Sequence, residues 1–137
     1  MEIKPVATRK EPSTEVDALA HKVIGVLIEV HRKLGPGFLE CVYEEATCIE
    51  LAKNHIPFER QVKTAVTYDG KVIGEGRIDL LIDKKLILEL KAVESLAPIH
   101  HMQALAYLRM TALELALLAS FNVPVMRNGI KRVVLTH

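Results

Sequence analysis

The apolar positions change period along the chain, and the changes mark out the elements. Leu19, Val23, Val26, Leu27 and Val30 recur at spacings of three and four, the stripe of an amphipathic helix. Gly35-Pro36-Gly37 stops it. A second helix is predicted from Phe38 to Lys53, ending at Asn54-His55-Ile56-Pro57. The period then falls to two: Val62, Thr64, Val66 and Tyr68 alternate with Lys63, Ala65 and Thr67, a strand. Asp69-Gly70 is a hairpin turn signal, because both residues tolerate positive φ. A second strand runs from Lys71 to Ile82, with Gly74 and Gly76 as sites for a bulge or bend. Asp83-Lys84-Lys85 turns the chain into a third strand, Leu86 to Ala92, apolar apart from Glu89 and Lys91. Pro98 suits the first turn of a third helix reaching about Ala112. Leu115 to Phe121 is nearly all apolar, as a buried strand would be. Asn128-Gly129 is a turn before a last strand, Ile130 to Leu135.

Helix, helix, three strands, helix, two strands: this order predicts an α/β domain, one sheet with helices packed on it. Residues 1–14, polar and containing Pro5 and Pro12, are expected to form a flexible leader, and 15–137 a single domain. The full length of 137 residues suits one domain. There is no internal repeat and no low-complexity tract.

Composition adds exclusions. Half of the residues are hydrophobic, so the chain is a folded, globular one. A net charge of +1, from 18 basic and 17 acidic residues, is no basic surplus advertising nucleic acid, although local patches remain open. Cys41 and Cys48 stand about two helical turns, roughly 10 Å, apart, too far for a disulfide within one helix. No Cys/His cluster suggests structural zinc. There is no signal-peptide pattern and no apolar run of membrane-spanning length. The expectation is a soluble cytoplasmic protein with no membrane partner.

The chemistry concentrates at the hairpin around Asp83-Lys84-Lys85. With Lys84 at its centre, Asp79 faces Glu89 across the two strands and shares a face with it. Lys91 lies two residues beyond Glu89, on that same face. A slip of one residue would separate the acids, so the geometry demands a loop with an odd number of residues. Two hard carboxylates can hold Mg²⁺ or Mn²⁺ and leave positions for water and phosphate. A neighbouring lysine can position the water, take its proton or stabilise developing charge. A Glu-x-Lys pair in a strand is also a common solvated face. Here it interrupts Leu86-Ile87-Leu88 and Leu90 in a strand that reads as central, where charges must be paired, ligated or turned to a cleft.

Arg77-Ile78-Asp79-Leu80 followed by Leu88-Glu89-Leu90-Lys91 resembles the D…ExK core of the PD-(D/E)XK nuclease-like superfamily. Gly37-Phe38-Leu39-Glu40-Cys41-Val42-Tyr43 resembles the GxxExxY motif, which names a family of small prokaryotic proteins within it. Gly35-Pro36-Gly37, Glu89-Leu90-Lys91-Ala92-Val93 and Phe121-Asn122-Val123-Pro124 also fit, so the resemblance runs from about Asp17 to Val134. Ile78 stands where the superfamily pattern has proline. The resemblance implies a restriction-endonuclease-like core, a central mixed sheet of about five strands flanked by helices. It implies Asp79, Glu89 and the Leu90 carbonyl as metal ligands and Lys91 as the catalytic lysine. Glu40 would be the helix acid, with Glu44 one turn later as its competitor, and Gln103 and Tyr107 would border the site. The expected function is Mg²⁺- or Mn²⁺-dependent hydrolysis of DNA or RNA. The alternative is a catalytically inactive nucleic-acid- or protein-binding module on the same fold. A homodimer through the apolar helices is a further expectation.

Other readings of single residues remain open. Glu40 also suits the first turn of a helix, where negative charge is favoured. Gln103 and Tyr107 also suit an ordinary polar helix edge, the reading preferred for His100 and His101. His31, beside Arg32 and Lys33, suits a helix C-terminus. Arg127, Lys131 and Arg132 suit a solvated face better than a phosphate contact.

Overall fold

The computed structural model describes residues 11–135. Two helices come first, α1 (Thr14–Leu34) and α2 (Glu40–Lys53). Three strands follow: β1 (Phe58–Tyr68), β2 (Lys71–Ile82) and β3 (Leu86–Lys91). Then come α3 (Pro98–Thr111), β4 (Leu115–Ser120), a short 3₁₀ turn (Met126–Gly129) and β5 (Ile130–Val134). The expected leader lies, for residues 1–10, outside the described residues; Ser13 caps α1 through its side chain and Thr14 opens the helix.

The strands form one sheet in chain order, β1-β2-β3-β4-β5. Only β3 and β4 run parallel, and α3 is the crossover that a parallel pair requires. Helices α1 and α2 cover one face, burying Val23, Leu27 and Leu51 against Leu80, Leu88 and Leu117. Helix α3 covers the other, with Ala104, Tyr107 and Leu108 against Ile87, Ala116 and Leu118. The sheet is therefore central, mixed and flanked by helices, an α/β architecture consistent with the restriction-endonuclease-like fold. All six residues of β4 are buried, as a strand covered on both faces must be.

Two boundaries differ from the apolar pattern by two residues or more, and β3, β4 and β5 each end one residue earlier than expected. Helix α2 starts at Glu40 rather than Phe38, because the Tyr43 hydroxyl holds the Phe38 N–H (3.2 Å) and Leu39 is extended. Strand β1 starts at Phe58 rather than Val62. Its first residues pair with β2 from Phe58↔Ile82 onward, although Glu59-Arg60-Gln61 shows no alternation. The bulge expected in β2 falls beside Gly74: Val66 faces Gly74 and Thr67 faces Val72, which leaves Ile73 as the extra residue.

Tertiary ties fix the connections. His31 is buried, and its Nε2 donates to the Val123 carbonyl at 2.8 Å, so it pins the end of α1 to the segment after β4. At Gly129 a Cβ would stand 2.1 Å from the Ser120 carbonyl oxygen, so only glycine admits the close approach there. Among the described residues no helix is long and apolar enough to cross a membrane.

Candidate active site at the fork between β2 and β3

The turn at Asp83-Lys84-Lys85 has the odd length that the register requires. Asp83 and Lys84 adopt positive φ (49° and 58°), and the Lys85 N–H donates to the Ile82 carbonyl at 2.9 Å. Ile82 then faces Leu86, Leu81 faces Ile87 and Leu80 faces Leu88. One step further the register would set Asp79 opposite Glu89. Pairing stops before that step, and the strands part.

The two acids take over where the ladder ends. Asp79 Oδ2 accepts from the Leu90 N–H at 2.8 Å, and Glu89 Oε1 accepts from the Asp79 N–H at 3.3 Å. Each carboxylate thus satisfies a backbone donor of the other strand, one that the missing ladder would leave without a partner. Meanwhile β3 keeps its pairing with β4 as far as Lys91↔Ser120.

Glu89 is only 3% exposed. Burial first, and the Asp79 charge beside it second, push its carboxyl up to about 9; Lys91 pulls the other way. Lys91 is half-buried and follows Glu89 on the same side of β3. Among the described residues its ammonium has no hydrogen-bond or ion-pair partner within contact distance.

A cleft of about 170 Å³ opens on the α2 side, lined by Glu40, Cys41, Glu44, Gln61, Asp79 and Leu90. Glu89 and Lys91 do not line it, whereas Glu40 and Asp79 are brought to this one cavity from a helix and a strand. The segment before α2 explains how. Gly37 takes φ +106°. Tyr43 is fully buried: its hydroxyl donates to the Gly35 carbonyl at 2.7 Å and its ring stacks on Phe121 at 4.2 Å. Glycine, glutamate and tyrosine of the Gly37–Tyr43 motif thus turn the chain, face the cleft and anchor the turn. Glu44 is engaged by Arg60 (2.8 Å) and Gln61 (2.6 Å), whereas Glu40 has no such partner among the described residues.

Gln103 and Tyr107 sit on α3, across the sheet. The Gln103 amide lies 3.5 Å from the Tyr107 hydroxyl, and Tyr107 belongs to the α3-side core. Neither lines the cleft. His100 is a helix cap, its Nδ1 accepting from the Ala97 N–H at 3.0 Å, and His101 is exposed. Arg132 pairs with Asp17 at 2.6 Å. Arg127 and Lys131 are exposed. A larger cleft of about 640 Å³ between α1 and α2 touches neither acid of the fork, and its central carboxylate, Glu50, is already paired with Lys33 at 2.6 Å. Sequence reasoning missed Gln61, whose only signal was the polar run that breaks alternation at the start of β1.

The oxygens of Asp79, Glu89 and the Leu90 carbonyl are hard donors of the kind Mg²⁺ or Mn²⁺ takes. A buried carboxylate pressed against another and lacking a cation partner also fits such an ion. Among the described residues no three His, Cys, Asp or Glu side chains stand close enough to hold a metal by themselves. The donors that meet at the fork are thus two carboxyl groups and a backbone carbonyl.

Comparison with known proteins agrees with the fold. No curated protein matches the chain significantly. Among solved structures, the crystal structure of SSO0001 superposes with a TM-score of 0.50 at 24% identity, over 70% of this chain and 48% of that one. The chain spans about half the length of that protein. The family model described as the PD-(D/E)XK nuclease superfamily, whose members generally use divalent metal ions, matches residues 17–133. With most of its length matched, this chain belongs to the PD-(D/E)XK nuclease superfamily.

Proposed function

We propose that the chain is a divalent-metal-dependent nuclease that hydrolyses phosphodiester bonds of DNA or RNA at the β2–β3 fork. The observation that carries this reading is the meeting of Asp79 and Glu89 across the opening, each bonded to the other's strand, with Lys91 next in line. Asp79, Glu89 and the Leu90 carbonyl would hold Mg²⁺ or Mn²⁺. Bound there, the ion supplies positive charge that polarises a phosphoryl oxygen and acidifies water. The Lys91 ammonium orients the attacking water and stabilises charge developing on the phosphoryl group. Glu40 faces the cleft from α2 and holds water at the Asp79 side. Tyr107 packs on Gly76 of β2, with Gln103 at its hydroxyl, so this pair borders β2 from the α3 face. The Gly37–Tyr43 motif further supports placement in the GxxExxY group, with 15–137 as one domain.

Cleavage of single- and double-stranded DNA and RNA with Mg²⁺ or Mn²⁺, and with chelator, tests the reading. Lys91→Ala should lose roughly 10²–10⁴-fold in rate while keeping Mn²⁺ affinity. Equal rates in wild type and Lys91→Ala overturn the mechanism. Nucleic-acid binding that survives Asp79→Ala and Glu89→Ala, with no cleavage by wild type, would establish the inactive binding module instead.

A further inference from the structure

Consecutive side chains of a regular strand leave opposite faces. Arg60 and Gln61 are consecutive in β1, yet both reach one carboxylate: Arg60 Nη2 donates to Glu44 Oε2 and Gln61 Nε2 to Glu44 Oε1. The cause lies in the backbone. Gln61 has φ +50° within the strand, a left-handed conformation that a residue with a Cβ resists.

The opposite strand turns over at the same level. Arg60 faces Leu80 and Val62 faces Ile78, so Gln61 and Asp79 share a level, but no ladder pair forms between them. Ile78 and Leu80, two apart, would share a face in a regular strand. Instead Leu80 packs in the core under α1 and α2, and Ile78 in the core under α3. Both strands invert their faces at the step that carries Asp79.

We infer that Glu44, gripping Arg60 and Gln61, is a positioning clamp rather than a metal ligand. It holds the inversion of β1 and β2, so that the Asp79 carboxylate is aimed into the fork and onto the Leu90 N–H. Together with Glu45, which Arg60 also reaches at 2.9 Å, it fastens α2, and with it Glu40, to the edge of the sheet. The two helix acids therefore divide the work: Glu44 shapes the site with both oxygens engaged, and Glu40, one turn earlier, faces the cleft. The inference rests on the reading of Asp79 as a metal-holding acid only for its effect on metal affinity; the aiming itself is independent of any metal.

Amide hydrogen exchange of the metal-free protein reads the aiming directly, because the Leu90 N–H reports where Asp79 Oδ2 stands. Arg60→Ala, Gln61→Val and Glu44→Ala should each speed Leu90 exchange roughly tenfold, while the Leu88 amide of the same strand changes little. Gln61→Gly accepts positive φ freely and should stay within about threefold of wild type. Mn²⁺ titration by calorimetry should then show affinity weakened by about tenfold in Gln61→Val and Arg60→Ala, although neither removes an anionic ligand. Unchanged Leu90 exchange in Gln61→Val and Glu44→Ala overturns the clamp. So does loss of Mn²⁺ binding in Glu44→Ala with Leu90 exchange intact, which would make Glu44 a ligand. A wild type that binds no Mn²⁺ sinks the nuclease reading, and the exchange result still decides the clamp. Should Gln61→Val not fold, Arg60→Ala against Gln61→Gly carries the same contrast.

Discussion

Strand β3 has two neighbours and meets them in different ways. Toward β4 the pairing is parallel and unbroken from Leu86↔Leu115 to Lys91↔Ser120. Toward β2 it is antiparallel and ends at Leu80↔Leu88. On the β4 side the backbone donors are satisfied by the ladder, and the side chains have only to fit. On the β2 side the ladder is replaced by Asp79 and Glu89. That replacement puts two acids against each other, one of them buried. The contrast teaches that a sheet can bring two acids together by ending a pairing early. The unbroken side of the same strand holds the opening in place.

The largest effect expected lies on the unbroken side. Leu117 is fully buried in the middle of β4, and Leu117→Ala should cost about 2–5 kcal/mol in urea unfolding. A loss below about 1 kcal/mol would mean that β4 is not the support described.

The fork should answer with the opposite sign. The Glu89 carboxyl is raised from 4.5 to about 9 in the folded protein. The stability it contributes is therefore complete below pH 4.5 and is lost as pH rises toward 9. At pH 7 the loss amounts to roughly 3 kcal/mol. In chelator, Glu89→Gln should accordingly be more stable than wild type by up to that order at neutral pH, and no more stable below pH 4.5. Urea unfolding of both proteins from pH 4 to 9 measures it. A gain independent of pH would remove the buried charge as its cause.

A smaller effect is expected where the cleft meets α2. Tyr43→Phe keeps the stacking on Phe121 but leaves the Gly35 carbonyl and the Phe38 N–H without their hydroxyl. It should cost about 1–2 kcal/mol, and Mn²⁺ affinity should fall with it if the turn before α2 sets the place of Glu40. Unchanged affinity would separate the anchor from the site.

Much of this was legible in the residues, and the limits have physical causes. The β2–β3 register could be read because an odd loop centred on Lys84 fixes its parity. The motifs named Asp79, Glu89 and Glu40 as candidates, and the fold brings Asp79 to Glu89 and to the cleft that Glu40 lines. The early start of β1 was not legible, since Glu59 and Arg60 pair through the backbone while Glu59-Arg60-Gln61 carries no alternation. The inversion at Gln61 was hidden too, because a positive φ at glutamine leaves no mark in composition. His31 was read as a helix-end charge and is a buried tie to Val123, a contact between residues distant in the chain that only the folded arrangement creates.

The smallest effect concerns the turn that sets the fork's register. Lys84 is exposed and holds φ +58°. A left-handed backbone costs a residue with a Cβ about 1–2 kcal/mol, whereas the extra chain entropy of glycine costs roughly 0.5–1 kcal/mol. Lys84→Gly should therefore raise stability by several tenths of a kcal/mol up to about 1. It keeps the loop odd, so Leu80 still faces Leu88 and the two acids still meet. Mn²⁺ affinity and the exchange of the Leu90 amide should not change. A gain in melting temperature with both readouts constant would show that the fork depends on the parity of the loop and not on its side chains. A shift in Leu90 exchange would show that the turn transmits strain to the acids, and the separation drawn between the two sides of β3 would then have to extend through the hairpin.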